Sequence, residues 1–166
     1  MPKACSHFWN EERRAIPVDD ANSQPHTASG RQQSGSVMRI DHIALWTDDI
    51  DRCKAFYATY FGARAGRAYV NAKKGFESCF LEFDNGSRIE IMKTTTLDVL
   101  EIEPGAERMG LTHFAISLGT EQLVDDLTKR LKQDGYPVLG GPRRTGDGYY
   151  ESVVLDPDGN RVEITA

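Results

Sequence analysis

The sequence lacks the features that would place the protein in a membrane, outside the cell or on nucleic acid. No apolar run approaches the roughly 18 residues needed to cross a bilayer, and no segment near the N-terminus resembles a signal peptide. The three cysteines are odd in number and form no CxxC spacing, which argues against a disulfide framework and a cysteine zinc site. The formal charge of -5 gives no long-range attraction for nucleic acid or anionic lipid. We therefore expect a cytoplasmic protein with a small-molecule partner.

The bulk composition is that of one ordinary globular domain. The chain has 166 residues, of which 39% are hydrophobic and 27% charged. Residues 1–37 mix Ser, Gln, Asn, Asp, Arg and Pro without helical or strand periodicity, so they predict a disordered leader. Patterned sequence begins at Met38, and we predict a single domain over residues 38–166.

Two stretches of this domain repeat the same order of elements. In the first, a short apolar strand and a helical stripe ending at Gly62 precede three strands, predicted at 64–70, 77–83 and 88–92. A linker at 94–109 follows, and the same order then returns. It comprises a strand at 111–118, a helical stripe ending at Gly135, a strand starting at 137, and two strands at 149–155 and 162–165. The pattern predicts an α+β fold of two βαβββ repeats, residues 38–93 and 110–166, which form a curved mixed sheet.

The two repeats also match residue by residue at two places. Asp41 to Ala44 aligns with Thr112 to Ala115, and the stretch from Gly86 to Ile91 aligns with Gly159 to Ile164. A histidine therefore recurs in the first strand and a glutamate in the last strand of each half. Such a double coincidence indicates an internal duplication.

Four side chains recur in this way and form a candidate metal site: His42, Glu90, His113 and Glu163. By strand alternation each glutamate faces away from the apolar side chains beside it, on a polar side of the predicted sheet. A carboxylate there is costly to desolvate unless it is exposed, paired or bound to a cation. Two imidazoles and two carboxylates suit Zn, Ni, Co, Fe or Mn.

A second interpretation of the two glutamates stays open. Arg88 and Arg161 lie on the same strand faces, so Glu90 and Glu163 could form simple ion pairs with them. That interpretation leaves the two matched histidines unexplained. The coincidence of all four positions favours a divalent metal.

Residues 38–166 resemble the vicinal oxygen chelate superfamily, which includes glyoxalase I, bleomycin-resistance proteins and extradiol dioxygenases. The markers are His42, the helix ending at Gly62, the strand Arg88 to Ile91, His113, and the stretch from Leu155 to Glu163 that reads Leu-Asp-Pro-Asp-Gly-Asn-Arg-Val-Glu. The resemblance implies two βαβββ units closing around one metal ion, in a homodimer with the site at its junction.

The complete ligand set implies a glyoxalase I of the bacterial type, a metal-dependent lyase or isomerase. Such an enzyme moves a proton next to a carbonyl of a small-molecule substrate through a metal-bound enediolate. By similarity Glu163 is the first candidate base and Glu90 the second. Other chemistries of the superfamily remain alternatives, namely acyl-thioester epimerisation, ring-opening oxygenation, and non-catalytic drug or metabolite binding.

The sequence departs from glutathione-using glyoxalases at two places. Those enzymes generally carry an arginine four residues after the first ligand and an asparagine four after the second, where this chain has Trp46 and Thr94. Glutathione dependence is therefore not implied. Trp46 is either the wall of an aromatic substrate site or a core residue. Candidate substrate-binding residues are Trp46, Arg88, Met92 and Arg161.

Overall fold

The computed structural model describes residues 38–97, 106–107 and 109–166. The chain divides into two units, Met1–Val37 and Met38–Ala166. The predicted leader and much of the predicted linker lie outside the described residues, so both remain predictions. Neither described helix is long and apolar enough to cross a membrane.

The first half of the larger unit contains one helix and five strands. The helix α1 and the strands alternate with short turns, and one 3-10 turn precedes the fourth strand. In chain order the elements are β1 His42–Trp46, α1 Ile50–Phe61, β2 Arg64–Ala65, β3 Tyr69–Asn71, the 3-10 turn Ala72–Lys74, β4 Phe76–Glu82 and β5 Arg88–Thr94.

The second half follows the same order with four strands. Its elements are β6 Phe114–Ser117, α2 Glu121–Gln133, β7 Val138–Arg144, β8 Tyr150–Leu155 and β9 Arg161–Thr165. The segment 145–149 joins β7 and β8 as a hairpin, in which the N–H of Thr145 donates to the carbonyl of Tyr149 at 2.8 Å.

The sheet topology confirms an α+β fold built from two βαβββ-like halves. The first sheet has the order β1-β5-β4-β2, with β3 also paired to β4, and the second has the order β6-β9-β8-β7. In each half the first strand runs parallel to the last. The strands form two mixed sheets, one per half, where the sequence predicted one. The strand predicted at 64–70 is also divided into β2 and β3, and Gly66 between them keeps a 2.8 Å hydrogen bond to the carbonyl of Phe80.

The helix α1 is defined by its two ends. The side chain of Asp49 caps the N-terminus by accepting from the N–H of Arg52 at 3.0 Å. The C-terminal cap is Gly62, whose φ of 66° is the left-handed conformation that glycine adopts readily. The buried face of α1 carries Cys53, Phe56 and Tyr57.

The same helix joins the two halves through a buried carboxylate. Asp156, in the turn between β8 and β9, accepts a 2.8 Å hydrogen bond from the hydroxyl of Tyr57. It also accepts from the N–H groups of Asp158 and Asn160 and from the amide of Asn160. Burial raises the pKa of Asp156 despite these donors, and it raises the pKa of Tyr57 as well. The junction therefore depends on a carboxylate whose acceptor sites are filled by neighbouring donors.

We expect Tyr57→Phe to lower the free energy of unfolding by about 1.5 to 3 kcal/mol, since it removes a buried hydrogen bond to a charged group. The matched control is Tyr60→Phe, because the hydroxyl of Tyr60 donates at 2.7 Å to the exposed Asp134. Its loss should cost less than about 1 kcal/mol. Urea denaturation followed by circular dichroism measures both, and equal costs would contradict the structural role assigned to Asp156.

Candidate metal centre

The first sheet presents one face to α1 and the other away from it. Ile89 and Ile91 of β5 are buried on the helix side. Glu90 alternates onto the opposite face, where its register partner on β1 is Ala44. The small alanine side chain leaves room beside Glu90, and His42 lies on the same face two residues earlier. Glu90 therefore faces away from the apolar layer, as strand alternation predicts.

His42 and Glu90 form a half-buried pair on this face. The Nε2 of His42 lies 3.7 Å from Oε2 of Glu90, with side chains 35% and 18% exposed. The other ring nitrogen, Nδ1, lies 3.0 Å from Oδ2 of Asp41, which also forms an ion pair with Arg88. When Nδ1–H donates a hydrogen bond to Asp41, Nε2 carries the free lone pair and faces Glu90. This arrangement is typical of metal-binding histidines.

The second sheet repeats the pair. The Nε2 of His113 lies 3.3 Å from Oε2 of Glu163, with side chains 41% and 16% exposed. Ala115 is the register partner of Glu163, as Ala44 is of Glu90. Burial, and after it the neighbouring Glu151, raise the pKa of Glu163, while His113 partly offsets the rise.

The histidines occupy different strand positions from those expected. The sequence placed each of them inside the first strand of its half, but His42 is the first residue of β1 and His113 immediately precedes β6. The difference arises because the parallel pairing begins level with Arg88 in one half and with Val162 in the other. Each imidazole therefore lies at the N-terminal end of its strand, where solvent reaches it.

The four predicted ligands come together as two separate pairs. In the described part of the chain, a single group of three His, Cys, Asp or Glu ligand atoms lies within 4.8 Å of one another, and it contains none of the four. One chain thus presents two candidate half-sites, each with two candidate ligands. The common four-ligand centre stays a prediction.

The chemistry of each pair suits a divalent ion. Two ligand atoms that each lie about 2.1 Å from a metal, at angles of 90° to 109°, are roughly 3.0 to 3.4 Å apart. The His113–Glu163 separation falls in that range, and the His42–Glu90 separation is slightly wider. Neutral imidazole and carboxylate are ligands that Zn, Ni, Co, Fe and Mn all accept.

In the other cluster, Cys53 with Asp156 and Asp158, both carboxyl groups already accept hydrogen bonds from protein donors. Arg52 donates to Asp158 at 2.6 Å, and Asp156 accepts from Tyr57 and Asn160 as described. Burial and the two carboxylates raise the pKa of the Cys53 thiol, so it stays protonated. The cluster holds the two halves together, and its guanidinium already supplies the positive charge.

The proposed substrate-binding residues occupy distinct places. Trp46 is 45% exposed and packs edge-on against Phe76, so it is not a core residue. Met92 is its register partner on the polar face. Arg88 pairs with Asp41, and its guanidinium lies over the ring of Phe80, so the alternative ion pair with Glu90 is not the one formed. Arg161 is the first residue of β9.

Two residues beside the half-sites were not singled out from the sequence. Asp41 fixes the tautomer of His42, and its position directly before a candidate ligand was a usable signal. Glu151 is a register partner of Thr165 and is 8% exposed, paired with Arg143 at 3.0 Å. Its approach to Glu163 depends on the β8–β9 register, which the sequence does not specify.

The class of protein is defined by two duplicated βαβββ halves, each with a His and a Glu on the polar sheet face opposite the helix. Residues 39–164 match the family model of the Glyoxalase/Bleomycin resistance protein/Dioxygenase superfamily, and the chain belongs to this family. The resemblance noted from the sequence is thereby confirmed.

Three similar proteins illustrate the breadth of the match. The uncharacterized protein PA2024 of Pseudomonas aeruginosa is 30% identical over 136 residues, which cover 76% of this chain and 86% of that protein. The glyoxalase I of Zea mays has a TM-score of 0.62 at 24% identity over 76% of this chain, which spans 44% of the maize chain. A domain from Frankia sp. EAN1pec, described as a glyoxylase/bleomycin resistance protein/dioxygenase, has a TM-score of 0.66 at 16% identity and covers 78% of this chain and 98% of that one. At these identities the structures show the shared fold alone.

Proposed function

We propose that the protein is a metal-dependent lyase or isomerase of the glyoxalase I type, which moves a proton next to a carbonyl group of a small substrate. The observation that carries this proposal is the pair of His–Glu half-sites at equivalent positions of the two halves, at 3.7 and 3.3 Å. The two half-sites would belong to one metal centre, with His42, Glu90, His113 and Glu163 as ligands.

A second copy of the chain would complete each centre. Among the described residues neither pair belongs to a group of three ligand atoms that all lie within 4.8 Å of one another, and the side chains of each pair are partly exposed. A two-fold symmetric dimer in which the first half of one copy faces the second half of the other brings four ligands together twice. The proposed homodimer follows from the incompleteness of each half-site.

The chain's own residues would then divide the work. His42, Glu90, His113 and Glu163 would hold a divalent ion, which would supply positive charge to stabilise an enediolate-like substrate. Glu163 accepts the proton from the carbon next to the carbonyl and returns it to the neighbouring carbon. Asp41 orients His42, and the apolar neighbours Phe80 and Val153 beside the glutamates limit access of water.

Elemental analysis of protein purified without metal-affinity steps tests the centre. We expect about one divalent ion per chain in the wild type and less than a tenth of that in His42→Ala and Glu163→Ala. Mutation of a residue that only hydrogen-bonds to a metal ligand typically weakens metal binding 10- to 100-fold, and loss of a ligand itself should weaken it more. Glu77→Ala is the control, because Glu77 is exposed and is the register partner of Lys93, off the polar face. Equal metal content in all four proteins would contradict the proposal.

A second candidate function is capture of a drug or metabolite without turnover. It is favoured by a groove with exposed aromatic side chains beside the first half-site, lined among others by Trp46 and Tyr69. Tight binding of a ligand with no product, unchanged by Glu163→Gln, would support this function over the enzymatic one.

A further inference from the structure

A groove of about 590 Å³ continues the polar face of the first sheet beyond Glu90. Glu90, Met92 and Thr94 alternate onto this face of β5, with Trp46 beside Met92 and Phe76 beside Thr94. A strand rises about 3.4 Å per residue, so the groove begins about 7 Å from Glu90 and extends away from it. The groove thus lies where the remote part of a substrate held at Glu90 would fall.

Three aromatic rings form its apolar part. Phe76 packs against Trp46 with ring centroids 6.3 Å apart and against Tyr69 at 6.2 Å. Trp46 is 45% and Tyr69 55% exposed, although each is large enough to be favoured in a core. Clustered exposed rings of this kind mark ligand-binding surfaces, because a flat apolar ligand that binds there buries the ring surface otherwise exposed to water.

Lys74 provides the charge of the groove from a well-defined turn. The N–H of Lys74 donates to Oδ1 of Asn71 at 3.3 Å. The next residue, Gly75, has a φ of +57°, and a Cβ there would lie 2.4 Å from Oγ1 of Thr95, so glycine lets the turn pack against the residue that follows β5. Among the residues that the structure describes, Lys74 has neither an ion pair nor a cation–π contact.

The charge of this groove is opposite to that of the whole protein. Lys74 is the charged residue of the lining, and the lining contains no carboxylate among the described residues. The chain as a whole carries a formal charge of -5. An anion is therefore attracted to Lys74 in this groove despite the net negative charge of the protein, and a neutral ring would leave the ammonium without a partner.

We propose that the groove binds an aromatic ring carrying an anionic group, with the ring against Trp46, Tyr69 and Phe76 and the anion at Lys74. As an assignment of substrate class this rests on the proposed function, since the reacting carbonyl would lie at the neighbouring His42–Glu90 pair. As a binding site it needs neither the metal nor turnover.

Calorimetric titration of the full chain after metal removal tests the groove. The probes are naphthoate, the neutral isostere naphthamide, and cyclohexanecarboxylate, which has the charge without the aromatic ring. We expect naphthoate to bind about tenfold more tightly than either of the others. Trp46→Ala should weaken naphthoate binding about tenfold or more, and Tyr69→Ala provides a second variant should Trp46→Ala be poorly folded.

Lys74→Gln should remove the preference for naphthoate over naphthamide without changing the affinity for naphthamide. Lys73→Gln is the matched control, since Lys73 lies in the same turn but not in the groove, and it should preserve the preference. No detectable naphthoate binding at millimolar concentration, or a preference that survives Lys74→Gln, would overturn the proposal. If the metal analysis fails while naphthoate binds as expected, the groove stands and only the catalytic proposal falls.

Discussion

Combining two inactive variants, His42→Ala and His113→Ala, in one heterodimer should restore one working centre. Each centre of the proposed dimer takes His42 and Glu90 from one copy and His113 and Glu163 from the other. In the heterodimer both substitutions fall in the same centre, so the other centre keeps all four ligands. Co-expression with two different tags and sequential purification should give about half the wild-type metal content and activity, and random pairing of a mixture about a quarter.

The control combines His42→Ala with Glu90→Ala. Both substitutions lie in the first half of the chain, so every centre of that heterodimer lacks one ligand and neither metal nor activity should return. If the four ligands met within one chain, the first combination would also stay inactive. If two first halves met instead, His113→Ala alone would retain metal. The three arrangements are therefore distinguishable by metal analysis, without knowledge of the substrate.

Much of the fold was predictable because its signals are local. The helix α1 stops at its cap Gly62, where the sequence placed the end of the helical stripe, since capping acts within one turn of a helix. Strand limits were less predictable. The division of 64–70 into β2 and β3, and the start of β6 after His113, depend on which backbone groups find a partner strand.

The sequence predicted which residues form the candidate site, but not how the fold brings them together. Alternation alone placed Glu90 and Glu163 on the faces opposite the buried isoleucines. The separation of the two His–Glu pairs depends on how the halves pack, which is set by contacts far apart in sequence such as Tyr57 with Asp156. A sequence pattern reports which side chains share a strand face, but not which faces of two sheets meet.

The second large effect should come from Glu163→Gln, which we expect to lower kcat by about 10² to 10⁴ while metal remains bound, because the amide oxygen can still serve as a ligand but the group no longer accepts a proton. The environment of Glu163 supports its choice as base. Burial and the Glu151 carboxyl raise its pKa, and a carboxylate of higher pKa is a better proton acceptor. A bound cation lowers the pKa of any adjacent carboxyl, yet the repulsion from Glu151 persists.

The matched variant is Glu90→Gln, which alters the equivalent ligand of the other half. Its register partner on β4 is Phe80, where Glu163 has Val153, and the position equivalent to Glu151, level with Met92, holds Ser78 in place of a carboxyl. We therefore expect a smaller loss of kcat, again with the metal still bound. Turnover would be followed on hemithioacetals of several thiols, since Trp46 stands where glutathione users have an arginine. Equal losses in the two variants would mean that the glutamates share the proton transfer, and an unchanged kcat in Glu163→Gln would remove it as the base.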